Sequence, residues 1–185
     1  TLFRSNNVML DIRVLGKSPD SPIFAIECVF FEPSTGKIGP GYYRAVDITT
    51  VGGIYPEAVL QLMKGDSAQR AEVINATCSA IDAVTGACRF IASTASKHEK
   101  LFCWSAGDSL SVAALAHAVS RYNLEPFLPS FEVRNLSTLI HIAGVTGYAP
   151  HPRRSKSYVL TDAVYRAEQT CEIWQRLTSP HLESL

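Results

Sequence analysis

The stretch 8–16, Val8-Met9-Leu10-Asp11-Ile12-Arg13-Val14-Leu15-Gly16, decides the fold of this chain. It is short, apolar and partly β-branched, which predicts a buried strand. Asp11 and Arg13 interrupt the apolar pattern two residues apart, so they lie on the same face of that strand. A buried charge is tolerated when it is paired or coordinated. This face therefore predicts either a functional site or a structural ion pair.

Length and composition indicate one folded domain over residues 1–185, because 46% of the residues are hydrophobic and only 18% are charged. Seventeen basic residues balance seventeen acidic ones, so any binding of nucleic acid must depend on a local patch. The five cysteines are scattered without zinc-type spacing, which favours free thiols in a reducing cytoplasm. With no signal peptide and no apolar stretch of about 18 residues, we expect a cytoplasmic protein outside the membrane.

Hydrophobic periodicity predicts four strands and several helices. The first three strands, at 8–14, 23–31 and 41–48, are joined by short turns and are expected to be antiparallel. Helices are predicted at 56–63, 68–91, 110–122, 135–143 and 158–177, with a short apolar strand at 101–104. This order of elements predicts an α/β protein with a mixed sheet and helices packed on it.

Four motifs follow one another along this pattern. They are Asp11 in a D-I-x-x-x-G setting, W-S-A-G at 104–107, R-N-L-S-T-L at 134–139 and S-Y-V-L-T-D-A at 157–163. Together they resemble the DEDD superfamily of 3′–5′ exonucleases, in its histidine-containing (DEDDh) branch. Within that branch the chain is most similar to phage and prophage exonucleases, such as the amino-terminal domain of exodeoxyribonuclease VIII.

The resemblance implies a ribonuclease-H-like fold, with a mixed five-stranded sheet flanked by helices. It also implies two Mg²⁺ or Mn²⁺ ions, which activate a water and stabilise the leaving oxygen at phosphorus. Four carboxylates supply the hard oxygen ligands that these ions prefer. A histidine positions or deprotonates the attacking water.

Only two of the five catalytic positions of the resemblance are retained. Asp11 matches the first carboxylate and Asp162 matches the last, so these two are the candidate catalytic and metal-binding residues. Arg13 stands where the family has Glu, Ser111 where it has Asp, and Ser157 where it has the catalytic His. The four metal-ligand positions then sum to −1 instead of −4, so metal binding is expected to be weak or lost. We hypothesise that Arg13 fills the vacated metal position and pairs with Asp11 and Asp162.

These substitutions predict a degenerate exonuclease that binds a single-stranded 3′ end or a protein partner through the former active-site groove. Arg153, Arg154 and Lys156 form the one basic cluster of the sequence, and they either contact phosphate or belong to a solvated loop. A homodimer is a further expectation, because many relatives with this fold are dimers.

Two other functions remain open. The first is an active 3′–5′ exonuclease with a reduced, single-metal site, in which Asp108 or His151 assists Asp11 and Asp162. The second is a protein-interaction or inhibitor module of phage or prophage origin that keeps the scaffold and uses another surface.

Overall fold

A single mixed sheet organises the protein. The computed structural model describes residues 3, 5–53, 56–65, 67–97, 99–107, 110–149, 151 and 161–179. The five strands are β1 (Asn7–Val14), β2 (Ile23–Glu32), β3 (Lys37–Ala45), β4 (Leu101–Ser105) and β5 (Phe131–Asn135). They lie in the order β3-β2-β1-β4-β5, with β1 to β3 antiparallel and with β4 and β5 parallel to β1.

Helices cover both faces of the sheet. They are α1 (Pro56–Lys64), α2 (Ser67–Ile74), α3 (Ala80–Thr94), α4 (Leu110–Arg121), α5 (Leu136–Val145) and α6 (Thr161–Thr178). The predicted α/β class, with a ribonuclease-H-like five-stranded mixed sheet flanked by helices, is therefore confirmed. Within the described residues, no helix is both long enough and apolar enough to cross a bilayer.

Three predicted elements differ from the structure. The helix predicted at 68–91 is two helices, because the Ser79 side chain accepts a hydrogen bond from the Asp82 N–H and starts α3 afresh. Strand β3 covers Lys37–Ala45 rather than 41–48, since a short 3₁₀ turn capped by Asp47 begins at Ile48. Strand β5 was not predicted, because its sequence Phe-Glu-Val-Arg-Asn has no apolar run.

Strand β1 turns its two faces toward two different layers of core. Val8, Leu10 and Ile12 pack in the cluster with α3 and α4. Met9 packs in the opposite cluster, which contains buried residues of α5 and α6. Since side chains alternate along a strand, Asp11 and Arg13 share the face of Met9 and point toward the α6 side. The fold thus places both charged residues between the sheet and the start of α6.

Candidate functional site

Four elements meet around the charged face of β1. Asp11 on β1 lies directly opposite Glu27 on β2 in the antiparallel register. Asp162 stands in the first turn of α6. Ser111, in the first turn of α4, is buried, and its Oγ accepts a hydrogen bond from the Ile12 N–H at 3.0 Å. The structure therefore brings three carboxylates and one hydroxyl to one end of the β1–β2 pair.

The guanidinium of Arg13 lies between two of these carboxylates. Its Nη2 forms an ion pair with Glu27 Oε1 and lies 3.1 Å from Asp162 Oδ2. Only 13% of the Arg13 side chain is exposed. The expected contact between Arg13 and Asp162 is thus present.

Asp11 pairs with a different arginine. Its Oδ1 lies 3.0 Å from Nη1 of Arg166, which follows Asp162 by one turn of α6. The sequence-based hypothesis that Arg13 pairs with Asp11 is therefore wrong, because the Arg13 side chain is directed at Glu27 and Asp162 instead. The site consequently contains two guanidiniums, each bound to at least one acid.

Glu27 is the residue that the sequence reasoning missed. Its side chain is fully buried, and its Oε2 accepts a hydrogen bond from the Ala163 N–H at 3.2 Å. A carboxylate at a helix N-terminus is favourable, because the unpaired N–H groups and the helix dipole are positive there. One signal in the sequence could have found it, since a lone acid interrupts the apolar strand Ile23–Glu32.

Burial raises the pKa of two acids of this cluster. Burial raises the pKa of Glu27 to about 7, while the Arg13 guanidinium opposes the rise. Burial also raises the pKa of Asp11, while the positive charge of Arg166 opposes the rise. Both shifts have the same cause, because removing a carboxylate from water disfavours its charged form.

The donor set does not fit a pair of divalent ions. The three acids Asp11, Glu27 and Asp162 each contact a guanidinium, so the charge that would attract a metal is already matched. With all groups ionised, three carboxylates and two arginines leave −1, whereas four free carboxylates give −4. Among the described residues, no group of three or more His, Cys, Asp or Glu side chains is arranged to hold a metal ion.

Two cavities flank the ionic cluster. The first, of about 340 Å³, is lined by Asp11, Ser111 and Arg166 together with residues that follow β4. We call it the Arg166 cleft. The second, of about 420 Å³, is lined by Arg13 and Lys64, with an apolar wall formed by Val14, Leu15, Phe24 and Leu62. We call it the Arg13–Lys64 cavity.

Most of the remaining predicted residues cannot be placed relative to the cluster. Ser157, Arg153, Arg154, Lys156 and Asp108 lie outside the described residues.

His151 is described, and its Nε2 lies 2.9 Å from Glu172 Oε1. Glu172 follows Asp162 by ten residues of α6, which corresponds to about 15 Å along a helix. In this arrangement the imidazole bonds to the middle of α6 and not to the carboxylate cluster.

The fold is that of an exonuclease-fold protein. The family model described as 3′-5′ exoribonuclease Rv2179c-like domain matches residues 6–178, and the chain belongs to this family. No curated protein matches the chain in sequence.

Two solved structures resemble it at low identity. One is a crystal structure of full-length 3′-exonuclease, with a TM-score of 0.47 and 10% identity. The other, titled for 3′-end specific recognition of histone mRNA stem-loop by 3′-exonuclease, has a TM-score of 0.49 and 10% identity. Each match covers 92% of this chain and 80% of the other.

The raised pKa of Glu27 predicts a pH-dependent stability. Its folded value of about 7 lies above the ordinary value of 4.5, so between these pH values the folded state holds a proton that the unfolded state has lost. The free energy of unfolding therefore falls as the pH rises through this window. Glu27→Gln should remove this contribution, which amounts to at most about 3 kcal/mol.

Urea denaturation at a series of pH values measures the effect. Glu125→Gln, an exposed site on the other side of the sheet from α6, is the matched control and should keep the wild-type slope. Parallel pH profiles for the wild type and Glu27→Gln would contradict the assignment of the titration to Glu27.

Proposed function

We propose that this chain is a catalytically degenerate 3′–5′ exonuclease that binds nucleic acid ends through its former active-site groove. The observation that carries the proposal is the pairing of every described acid of the site with Arg13 or Arg166. A two-metal mechanism needs carboxylates that are free to bind ions. The family resemblance implies Mg²⁺ or Mn²⁺. To bind here, these ions would have to displace a guanidinium from each carboxylate.

The Arg13–Lys64 cavity supports binding of nucleic acid. It combines two cationic side chains with an apolar wall, and none of the described residues that line it is an acid. Cations contact phosphate groups, and apolar side chains can pack against a base. A single-stranded 3′ end suits such a cavity, because only an unpaired nucleotide can insert its base. Arg153, Arg154 and Lys156 remain candidate phosphate contacts on the basis of the sequence alone.

A protein partner is the second candidate, and exposed apolar residues of α1 and α2 favour it. The side chains of Leu60, Met63 and Ile74 are each more than half exposed, at 56%, 63% and 78%. Exposed apolar side chains that cluster can form interaction sites. DEDDh-type ancestry, phage or prophage origin, a homodimer and a cytoplasmic location remain predictions from the sequence.

A nuclease assay tests the loss of catalysis. We expect no shortening of 3′-end substrates when the protein is incubated with 5′-labelled RNA, single-stranded DNA or duplex DNA in Mg²⁺ or Mn²⁺. The same preparations should retard single-stranded substrates in a native gel. Shortening that the double variant Asp11→Ala/Asp162→Ala abolishes would show that the site still works. Neither shortening nor retardation would favour the protein partner.

Restoring two acids should restore metal binding. Arg13→Glu combined with Ser111→Asp changes the charge of the cluster by three units, because one cation is lost and two acids are gained. Isothermal titration calorimetry should then detect Mn²⁺ binding that the wild type lacks. The matched control is Arg121→Glu with Ser120→Asp on the exposed end of α4, which makes the same charge change away from the site. Equal Mn²⁺ binding by both double variants, or by neither, would contradict the idea that Arg13 occupies a metal position.

A further inference from the structure

We propose that the Arg166 cleft binds a phosphate group directly. The guanidinium of Arg166 then supplies the positive charge that metal ions supply in an active exonuclease. The proposal rests on the proposed function, namely that the groove takes nucleic acid. It names the residues that hold the phosphate, and it states that this contact does not require divalent ions.

Arg166 pairs with an acid of the site and also lines the cleft. Its Nη1 lies 3.0 Å from Asp11 Oδ1, and a guanidinium has five N–H donors in total. Within the described part of the chain, the side chain of Arg166 has no other ion-pair partner. It is 29% exposed, compared with 13% for Arg13. Asp11 therefore holds Arg166 through Nη1, and Arg166 also lines the cleft, which leaves donors of the guanidinium for a ligand there.

Ser111 contributes a second donor to the same cleft. The residue is only 9% exposed and lines the same cleft. Its Oγ accepts the hydrogen bond from the Ile12 N–H, so the hydroxyl proton remains available for donation. That proton has no acceptor among the described residues. Because buried donors are almost always paired, a ligand oxygen in the cleft is the expected acceptor.

The charge of the cleft does not prevent phosphate binding. Two divalent ions on four carboxylates leave no net charge, and such a site binds phosphate. Here Arg166 neutralises Asp11, and Arg13 contacts Glu27 and Asp162. Among the described residues that line the cleft, one is an acid and one is a base. Phosphate binding then depends on directed, charge-assisted hydrogen bonds, which a guanidinium provides well.

Oligonucleotide affinity in EDTA and in Mg²⁺ tests the independence from metal. Fluorescence anisotropy with a labelled single-stranded oligonucleotide should give the same dissociation constant in both buffers. Arg166→Gln should weaken binding about tenfold or more, since it removes a charged partner of the phosphate. Arg121→Gln, which removes the same charge from the exposed end of α4, is the matched control and should leave the affinity almost unchanged.

Two variants of Ser111 separate this proposal from a metal site. Ser111→Ala removes the hydroxyl donor and should weaken binding. Ser111→Asp restores an acid at the family position and should weaken binding further in EDTA, because a carboxylate would then face the phosphate. If Ser111→Asp instead bound the oligonucleotide more tightly in EDTA, the proposal would be overturned.

A neutral phosphate analogue shows the contact itself. Methylphosphonate replaces the linkages of the oligonucleotide one at a time. Replacement of one particular linkage should reduce the affinity of the wild type and have little further effect on the affinity of Arg166→Gln. This difference between the two proteins can still be measured if the variant is less stable than the wild type. Thermal melting of each variant confirms that the measured protein is folded. Equal losses in wild type and Arg166→Gln at every linkage would overturn the assignment.

The inference and the proposed function can fail separately. If the wild type binds the oligonucleotide only in Mg²⁺, the inference fails while the proposed function survives. If the wild type binds no oligonucleotide, the proposed function fails, and pyrophosphate then serves as the probe of the cleft. Pyrophosphate should shift the NMR signals of the Arg166 side chain and the Ser111 amide, and the absence of any shift would overturn the inference.

Discussion

The position of the Arg13 guanidinium between Glu27 and Asp162 is the interaction on which the rest of the site depends. Glu27 is fully buried and bonds the first turn of α6 through the Ala163 N–H. Without Arg13, this carboxylate would lack its charge partner in the interior, where an unpaired charge is expensive. Arg13 therefore joins the two neighbouring strands to the helix that carries Asp162.

Three charged residues act together with the acids Asp11 and Asp162. Arg13 lies two residues from Asp11 on β1, Glu27 lies opposite Asp11 on the neighbouring strand, and Arg166 pairs with Asp11. Each of them alone would leave a buried or crowded charge without a partner, and together they leave a cluster close to neutral. Ser111 fits the same pattern, because its hydroxyl bonds the β1 backbone where a further acid would add repulsion. The chain belongs to the family, and the different chemistry of its site is our proposal.

The order of the elements was predictable, because long periodic segments such as β2 and α6 determine it. Strand β5 was not predictable from the sequence. Its five residues are too few to give a clear strand signal, and they form a strand because they pair with β4. In the site, the contact between Arg13 and Asp162 could be proposed from motifs. Glu27 was visible only as a lone acid in an apolar strand, and neither its partners nor the role of Arg166 could be read from the sequence. Both depend on tertiary geometry, namely the register that sets Glu27 opposite Asp11 and the helical turn that sets Arg166 near it. Roles for Ser157 and the basic residues at 153–156 remain predictions.

The central claim is that guanidiniums occupy the positions of the metal ions, and Mn²⁺ titration of the wild-type protein followed by NMR tests it most directly. Bound Mn²⁺ broadens the signals of nearby amides. The account predicts that the amides of Ile12 and Ala163, which adjoin Asp11 and Asp162, broaden no more than the amide beside the exposed Glu57 on α1. Selective broadening of Ile12 and Ala163 at low Mn²⁺ would contradict the account, because it would place a metal ion where the arginines are.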